Sequence, residues 1–316
     1  MTLTQLKYLV AIVEQGFNIT HAAAALYTSQ PGISRQIRLL EEELGISMLA
    51  RNGGRIVGLT EEGKRVAMSA KRIVNEMSSL KLMGEEFLQQ ESGRFGIVTL
   101  HSFALSTLLP AVVGVRERYP DVTIDIQHGS ASQSFELLRA GGVDLAVTID
   151  EAPATYGLVS LLVGSIPRVL ILPRDHPLLG RASIELKDIA AYPLIFHRSL
   201  VSSGWSVMRA FKAQGIEVKP VVEVMDSSII KVYVEHGAGI AIISGAAYDP
   251  QRDRGLCSVD LSHIVAPTPL TIVLDPLRYL RGYAYDFIGM LAPEWTRKKV
   301  DNAIKDVVSS PVYPGH

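Results

Sequence analysis

The segment from Ser29 to Leu40 has residue types that suit contact with DNA bases. Ser29 is a candidate N-cap, and Pro31 falls in the first helical turn, where a missing N–H costs little. At about 100° per residue, one side of the predicted helix carries the apolar stripe of Ile33, Ile37, Leu40 and Leu44, and the opposite side carries Gln30, Ser34, Arg35 and Arg38. Arginine reads guanine and glutamine reads adenine in the major groove, so we interpret the segment as a recognition helix. The alternative is an ordinary surface helix whose arginines meet only solvent or the carboxylates of Glu41–Glu43.

A basic hairpin is predicted next, where Gly53 and Gly54 stand between short arms that suit β-strands. Arg51 and Arg55 flank its tip, where a wing would contact phosphate, and Lys64 and Arg65 are further candidates. Solvated charge is the alternative for each of these cations. The predicted DNA-contacting set is Thr28, Ser29, Gln30, Pro31, Ser34, Arg35, Arg38, Arg51 and Arg55. Residues 1–59 hold five basic and four acidic side chains, so we expect modest non-specific affinity and a dimer whose two half-sites add strength.

Two earlier helices must position the recognition helix. Thr2 with Gln5 resembles a capping box, and apolar residues at helical spacing follow until Gly16. An alanine-rich helix is predicted over Thr20–Leu26, and a polar break at Tyr27-Thr28-Ser29 leads into the third. Three helices and a hairpin predict an all-α winged helix-turn-helix domain over residues 1–59.

A long helix is predicted over residues 60–90, with Thr60 as its N-cap and no proline in it. A bulky residue recurs every seven positions, and a row of smaller residues with one methionine fills the other seam of the heptad. The bulky row is Val66, Ile73, Leu80 and Phe87, and the other is Gly63, Ala70, Met77 and Gly84. This pattern favours a linker helix that forms a homodimer. The alternative is a long surface helix that lies on its own domain.

From about residue 91 the sequence alternates between short apolar runs and helical stretches, which predicts an α/β domain with a mainly parallel sheet. The predicted strands are Phe95–Leu100, Val122–Ile126, Val143–Ile149, Val169–Leu172, Leu194–Phe196, Pro220–Val224, Ile240–Ile243 and Leu270–Leu274. The predicted helices are Ala104–Tyr119, Ser134–Ala140, Trp205–Gln214, Ser227–His236 and Tyr279–Leu291. Eight strands over this length favour two lobes, with a ligand between them at the carboxyl ends of strands. A flexible tail is expected over 309–316.

Composition excludes several function classes. Thirty-one Lys and Arg residues against 32 Asp and Glu residues give a net charge of −1, so the chain is not a polycation that coats nucleic acid. The single cysteine, Cys257, excludes an internal disulfide or a multi-cysteine metal site. No apolar run approaches about eighteen residues, so we expect a cytoplasmic protein without a membrane partner.

No residue set predicts catalysis, a bound metal or a cofactor. His101 beside Ser102 is not a nucleophile–base pair, because neighbouring strand residues point to opposite faces. Gly237-Ala238-Gly239 lacks the third glycine of a dinucleotide fingerprint and reads better as a helix C-cap. We therefore expect that the chain is not an enzyme. A small-molecule binding protein with a helical dimerisation module remains an alternative to a DNA-binding regulator.

The string from Tyr27 to Ile37, followed by Leu40-Glu41-Glu42-Glu43-Leu44-Gly45, resembles the LysR-type transcriptional regulators. Ile229–Val234 and the run from Tyr279 to Ile288 are similar to the CysB-like group of that family, which activates sulfur assimilation. The resemblance implies a periplasmic-binding-protein-like effector domain over 91–308. Its lobe I would span about 91–162 and 268–308, and its lobe II about 163–267. It also implies a homotetramer on promoter DNA, with RNA polymerase as a candidate partner and genes of sulfur and cysteine metabolism as targets.

In the CysB-like group, hydroxyl and amide side chains between the lobes bind sulfate or an acetylated serine. The positions that the resemblance assigns to the effector are Leu100, His101, Ser102, Phe103, Thr148, Ile149, Ser202 and Ser203. Leu100 and Phe103 stand where the group has a threonine and a glutamine, and Ile166 replaces a tryptophan. Because an anion needs its hydration replaced by hydrogen bonds, we expect poor sulfate binding and a larger, partly apolar or sulfur-containing effector. A LysR-type regulator of a different pathway remains an alternative.

Overall fold

The computed structural model describes residues 1–53, 55–87, 92–198 and 206–309. The chain divides into two units, Met1–Glu91 with Leu277–Arg281, and Ser92–Pro276 with Gly282–His316. The predictions for Ser202 and Ser203, for the side chains of Arg55 and Phe87, and for the tail beyond Ser309 lie outside the described residues.

The N-terminal unit begins with three helices joined by short turns: α1 (Leu3–Glu14), α2 (Ile19–Ala25) and α3 (Gln30–Leu44). Thr2 closes a capping box with Gln5, as predicted, and Asn18 caps α2 by accepting a hydrogen bond from the His21 N–H. Gly45 ends α3 at φ +69°, a left-handed conformation that glycine adopts without strain. The apolar sides of the three helices share one core that includes Leu9, Ile12 and Ile37.

The wing is a two-stranded antiparallel sheet of β1 (Leu49–Asn52) and β2 (Arg55–Leu59). The Glu41 carboxylate at the end of α3 accepts hydrogen bonds from the backbone N–H groups of Met48 (2.7 Å) and Leu49 (3.1 Å). Thr60 closes the other end, since its hydroxyl donates to the Ser47 carbonyl at 2.6 Å and its own N–H donates to the Met48 carbonyl at 3.0 Å. The wing is therefore tied to α3 on one side and to the next helix on the other.

Helix α4 is described from Glu61 to Phe87, and Thr60 caps it as predicted by accepting from the Gly63 N–H at 2.9 Å. The predicted seam is only partly available to a partner. Ala70 is 1% exposed and Val66 packs on the core of the unit, whereas Ile73 and Leu80 are 41% and 62% exposed. The first half of the helix thus lies on its own domain, as the alternative stated, because α1 covers that side.

The C-terminal unit contains a five-stranded mixed sheet in the order β4-β3-β5-β12-β6. Strands β4, β3 and β5 are parallel, and β12 is antiparallel to both of its neighbours. These strands are β3 (Gly93–Thr99), β4 (Val122–His128), β5 (Leu145–Thr148), β6 (Val159–Ile166) and β12 (Thr268–Leu274). The helices of this lobe are α5 (His101–Leu105), α6 (Leu109–Arg118), α7 (Ala131–Arg139), α11 (Gly282–Leu291) and α12 (Arg297–Val308).

The second lobe has an antiparallel sheet in the order β10-β7-β11 and a parallel pair, β8-β9, joined to it by a bridge between Leu194 and Ile240. Its strands are β7 (Arg168–Pro173), β8 (Leu194–His197), β9 (Pro220–Val224), β10 (Ala241–Ser244) and β11 (Leu256–Asp260). Its helices are α8 (Leu186–Ala190), α9 (Ser206–Ala213) and α10 (Ser227–Glu235).

The prediction of a mainly parallel sheet is wrong. Strand β12 runs antiparallel to both β5 and β6, and β7 runs antiparallel to both β10 and β11, so one sheet is mixed and the other is antiparallel. Strands β6 and β11 and helices α8 and α12 were not predicted. The lobe boundary expected at about residue 162 falls inside β6, which extends to Ile166.

The predicted helix Ala104–Tyr119 is two helices, α5 and α6, separated at residues 106–108. Pro110 lies in the first turn of α6, where proline is tolerated, but in one continuous helix it would remove a hydrogen bond from the interior.

Candidate DNA interface and effector cleft

Helix α3 presents a dry side to the core and a polar side to solvent. Ser29 caps it through a hydrogen bond from the Gly32 N–H to its hydroxyl (3.3 Å), and Pro31 occupies the first turn. Ile33, Ile37 and Leu40 are at most 1% exposed. Leu44 is 38% exposed, so its predicted place in the apolar stripe is wrong, because the chain turns away from the core at Gly45.

The polar residues of α3 differ in exposure and in whether they have a partner within the chain. Gln30 is exposed and donates from Nε2 to the hydroxyl of Ser34, which is half-buried, at 3.2 Å. Arg35 is exposed, and no carboxylate of a described residue lies within 4.0 Å of its guanidinium. Arg38 donates from Nε to Glu42 one turn later at 3.0 Å, although its side chain is 79% exposed. The surface-helix alternative therefore describes Arg38 in the unbound chain, whereas Arg35 is exposed and forms no such pair with a described residue.

A cavity of about 480 Å³ lies between the start of α3 and the wing. It brings together Gln30 and Ser34 from α3 and Arg51 from β1, three of the predicted DNA-contacting residues. Its wall also contains Gln15 and Asn18 from the turn between α1 and α2 and His21 from the first turn of α2, three residues that were not predicted from the sequence. The clustering of three polar residues around the start of α2 was the sequence signal that could have indicated them as part of this surface.

The remaining predicted contacts lie at the same edge of α3. Thr28 is half-buried, whereas Ser29 and Pro31 are exposed at the start of the helix. Arg51 is exposed on the wing. A solvent-exposed helix flanked by a basic hairpin has the geometry that enters a major groove and contacts the adjoining phosphates.

The second candidate site lies between the two lobes of the C-terminal unit. Helix α5 starts directly after β3, and His101 and Ser102 line a narrow cavity of about 40 Å³ together with Ser227, Ser228 and Lys231 of α10. The Ser106 hydroxyl donates to the Ala246 carbonyl of the other lobe at 2.7 Å. These contacts hold the cleft nearly closed.

Charged groups gather where the strands of both lobes end. His101 Nδ1 lies 3.8 Å from Asp226 Oδ2 of the other lobe, and its ring stands 5.0 Å from that of His128. Burial alone would raise the pKa of Asp226, but hydrogen bonds from Ser228 and the nearby histidines bring it below its ordinary value. Burial lowers the pKa of His197. The cleft therefore combines an ionised carboxylate with three imidazoles.

A buried cation lies close to this group. Arg168, at the start of β7, is 3% exposed, and burial lowers the pKa of its guanidinium to about 10. It is close enough to His197 to contribute to the lowered pKa of that imidazole.

The effector residues that the resemblance implied do not all face the cleft. His101 and Ser102 line it, whereas Phe103 is 1% exposed and is not part of the lining, so its role as an effector residue stays a prediction. The third position of the short helix α5 points back toward the core. Leu100 is half-buried and Ile149 is 7% exposed.

Thr148 is 1% exposed, and its hydroxyl finds no hydrogen-bond partner among the residues that the structure describes. It pairs in register with Thr271 of β12, whose hydroxyl is also buried without a hydrogen-bond partner among the described residues. Because directly opposed residues of an antiparallel pair share a face of the sheet, the two hydroxyls lie side by side. Buried polar groups usually have partners, so this pair is a candidate for a ligand or an ordered water at the end of β5.

Within the described ranges no cluster of three or more His, Cys, Asp or Glu side chains has the geometry to hold a metal ion. No helix in those same ranges has the length and apolar character to cross a membrane.

Two family descriptions match the chain. Residues 3–64 match the bacterial regulatory helix-turn-helix protein, lysR family, and residues 88–296 match the LysR substrate binding domain. Together they cover the candidate DNA interface and both lobes of the cleft. The predicted winged helix-turn-helix with a two-lobed effector domain is thereby confirmed.

Full-length relatives share the same organisation. The HTH-type transcriptional regulator CysB of Burkholderia cenocepacia is 36% identical over 310 residues, covering 98% of this chain and 99% of that protein. The regulator SsuR of the same species is 32% identical, covering 98% of this chain and all of that protein. The crystal structure of the cofactor-binding domain of the Cbl transcriptional regulator superposes with a TM-score of 0.62 at 25% identity, covering 69% of this chain and 95% of that one.

These relatives are named as transcriptional regulators and not as enzymes, which confirms the expected class, and LysR regulators bind small-molecule effectors in the substrate-binding domain. The exposed helix α3, the wing and the cleft between the two lobes all lie within the matched regions, and this chain is a member of the LysR family of transcriptional regulators.

Proposed function

We propose that this regulator controls genes of sulfur and cysteine metabolism in response to a small sulfur-containing effector bound between its lobes. The similarity to CysB and SsuR over almost the whole chain supports the pathway. The observation that carries the effector site is the meeting of His101 and Ser102 with residues of the other lobe in a narrow polar cleft. An effector that binds the closed arrangement better than the open one shifts the population of the two, and so alters the spacing of the paired DNA-binding domains.

Hydrogen-bond donors in the cleft, among them the hydroxyls of Ser102, Ser227 and Ser228, suit an anionic effector, although the ionised Asp226 carboxylate opposes one. His101 and His128 stand together, and the buried Arg168 guanidinium lies near His197. The expectation of a partly apolar effector loses the support of Phe103 and now depends on Leu100 and Ile149. The candidate effectors are sulfate, an acetylserine-like molecule and a larger sulfur-containing anion, and we propose the last of these.

Calorimetric titration of the full-length protein distinguishes the candidates. We expect an organic sulfonate to bind at least tenfold more tightly than sulfate, and Ser102→Ala to weaken it about tenfold, as expected for a lost hydrogen bond to a charged group. Phe103→Leu is the control variant, because its side chain is buried away from the cleft and a similar apolar volume is retained. Micromolar sulfate binding that is lost in Ser102→Ala would contradict the proposed effector class.

We propose that the residues which bind DNA are those predicted from the sequence. Gln30, Ser34 and Arg35 would reach bases and nearby phosphates, and Arg51 would contact the backbone from the wing. The cavity that joins α3 to the wing supports this assignment. Arg35→Ala should weaken binding to a selected duplex, while Lys187→Ala in the second lobe, which is an exposed cation outside the N-terminal unit, should not. An unchanged affinity and footprint of Arg35→Ala would remove that role.

We propose a homodimer through α4 and a homotetramer through the C-terminal unit. Exposed apolar side chains on the second half of α4 support the first interface, and Leu80 is the most exposed of them at 62%. Apolar faces on α6 and α10 support the second, where Val113 and Val232 are 47% and 54% exposed.

Contact with RNA polymerase at activated promoters is part of the same proposal. Co-sedimentation of polymerase with the regulator on promoter DNA tests it, with promoter DNA alone as the control.

A further inference from the structure

The cavity between the start of α3 and the wing extends to the first turn of α2, where His21 lies. Arg51 of β1 is also part of its lining. The chain has 32 acidic side chains, yet neither an aspartate nor a glutamate occurs among the described residues that line this cavity. Because like charges repel and no carboxylate is present in that lining, the cavity suits an anion.

The His21 side chain is not needed to hold α2 in place. Its backbone N–H donates to Asn18 Oδ1 at 3.1 Å and so completes the N-cap of the helix. This bond is retained with any residue other than proline at position 21, because it belongs to the backbone. The His21 imidazole is exposed and forms no hydrogen bond or ion pair with a described residue. Its ring nitrogens are therefore available to a ligand in the cavity.

Few charged groups surround His21. Helix α2 carries no other titratable side chain. The polar residues that α3 and the turn before α2 contribute to the lining are neutral, namely Gln15, Asn18, Gln30 and Ser34. Arg51 is thus the one ionic side chain among the described lining residues, and Glu14, at the end of α1, forms an ion pair with Lys71 of α4. A phosphate between Arg51 and His21 favours a protonated imidazole, whereas Arg51 alone disfavours it.

We infer that this cavity binds a phosphate of the DNA backbone between Arg51 and a protonated His21, so that each protomer takes up a proton when it binds DNA. This inference rests on the proposed DNA-binding role of α3 and adds a residue that the predicted set did not include. Histidine changes its charge between about pH 5 and pH 8. An imidazolium donates from both ring nitrogens and neutralises one phosphate charge, whereas a neutral imidazole has one donor and no charge. The affinity for DNA therefore rises as pH falls through this range.

Two variants test the inference in the full-length protein, with a duplex that the wild-type chain has selected from a random library. Affinity is measured by fluorescence anisotropy in a buffer without inorganic phosphate, which would compete for the cavity. At about pH 6 we expect His21→Gln to bind about tenfold more weakly than wild type, as for a lost hydrogen bond to a charged group, and at about pH 8 to bind within about twofold. His21→Arg has a permanent charge, so it should bind about tenfold more tightly than His21→Gln at both pH values.

The salt dependence of binding provides a second measurement. A cation that neutralises one phosphate contributes about 0.9 to the slope of log K against log salt concentration. His21→Gln should therefore reduce the slope by about 0.9 per protomer at about pH 6 and leave it unchanged at about pH 8. The matched control is His236→Gln, which removes an exposed imidazole at the end of α10 in the C-terminal unit and should retain the wild-type pH profile.

Arg35→Ala separates this inference from the proposed function. If Arg35→Ala weakens binding and His21→Gln matches wild type at both pH values, the phosphate contact is overturned and the role of α3 is retained. A loss in His21→Gln of the same size at both pH values would overturn the proton uptake, because the contact would then not depend on charge. If the wild-type protein selects no duplex at all, the proposed DNA-binding role is wrong and the inference fails with it.

Discussion

Gly63 lies where the linker helix passes the wing most closely. A Cβ added there would stand 2.1 Å from the Met48 carbonyl oxygen and 2.8 Å from its carbonyl carbon. Ordinary contact between such atoms begins at roughly 3.5 Å, so Gly63→Ala must displace the start of α4 by about 1 Å or more. The displacement would strain the bonds from the Thr60 N–H to Met48 (3.0 Å) and from the Gly63 N–H to the Thr60 hydroxyl (2.9 Å).

The magnitude follows from opposing contributions. Overpacking costs about 1–3 kcal/mol and each weakened hydrogen bond about 1 kcal/mol, while alanine in place of glycine in a helix contributes about 1 kcal/mol of stability. We therefore expect Gly63→Ala to lower the free energy of unfolding of the N-terminal unit by roughly 2–3 kcal/mol. Gly84 in the same helix is the matched control, because no described atom lies within 4 Å of its added Cβ. Gly84→Ala should stabilise by up to about 1 kcal/mol.

Hydrogen exchange of peptides covering residues 46–70, together with urea unfolding of the full-length protein, measures the effect. Both tryptophans, Trp205 and Trp295, belong to the C-terminal unit, so their fluorescence should report unchanged unfolding of that unit. If the wing and the start of α4 are as well protected from hydrogen exchange in Gly63→Ala as in Gly84→Ala, the close approach between helix and wing is absent and the reasoning is refuted.

Three further predictions follow from the described contacts. Glu41→Ala should destabilise the N-terminal unit by about 2 kcal/mol in urea unfolding, because two backbone N–H groups lose a carboxylate acceptor. The control Glu42→Ala, which removes only an exposed ion pair, should change the free energy of unfolding by less than about 0.5 kcal/mol. Equal effects of the two variants would contradict the role of Glu41 in holding the wing. Leu80→Glu should shift the sedimentation of the protein toward smaller assemblies, and an unaltered distribution would exclude the second half of α4 as an interface. Because the pKa of Asp226 is lowered on folding, its contribution is present above the unfolded pKa of about 4 and is lost as pH falls through the folded value. Tm measured from pH 6 to pH 3 should therefore fall more steeply for wild type than for Asp226→Asn, and parallel curves would show that the ionised carboxylate contributes nothing.

Local chemistry was sufficient to predict the elements of the N-terminal domain. The Ser29 cap, the proline in the first turn and the apolar spacing of Ile33, Ile37 and Leu40 all act within a few residues, and α3 begins where they indicate. Gly237 likewise ends α10 at φ +75°, as expected for a C-cap glycine. Such signals need no knowledge of the remainder of the chain.

The effector cleft could be predicted only in part. His101 and Ser102 line the cavity between the lobes, as expected of residues that follow a strand, because strand ends of α/β lobes gather at one edge. Asp226 was missed because nothing in its neighbouring sequence indicates that the other lobe brings it to His101. His128 was also missed, although it ends β4, which pairs in parallel with β3 and so places its ring beside that of His101.

By itself the sequence determined where helices and strands of strong periodicity form, which family the chain resembles, and which end carries the DNA-binding face. Tertiary structure alone decided which side of α4 is covered, that Phe103 is buried, and that β6 and β7, although consecutive, belong to different sheets. Caps, turns and periodicity act between near neighbours, whereas burial depends on which distant segment packs against a given face. A heptad row that is free for a partner and one that rests on the chain's own helix have the same sequence pattern.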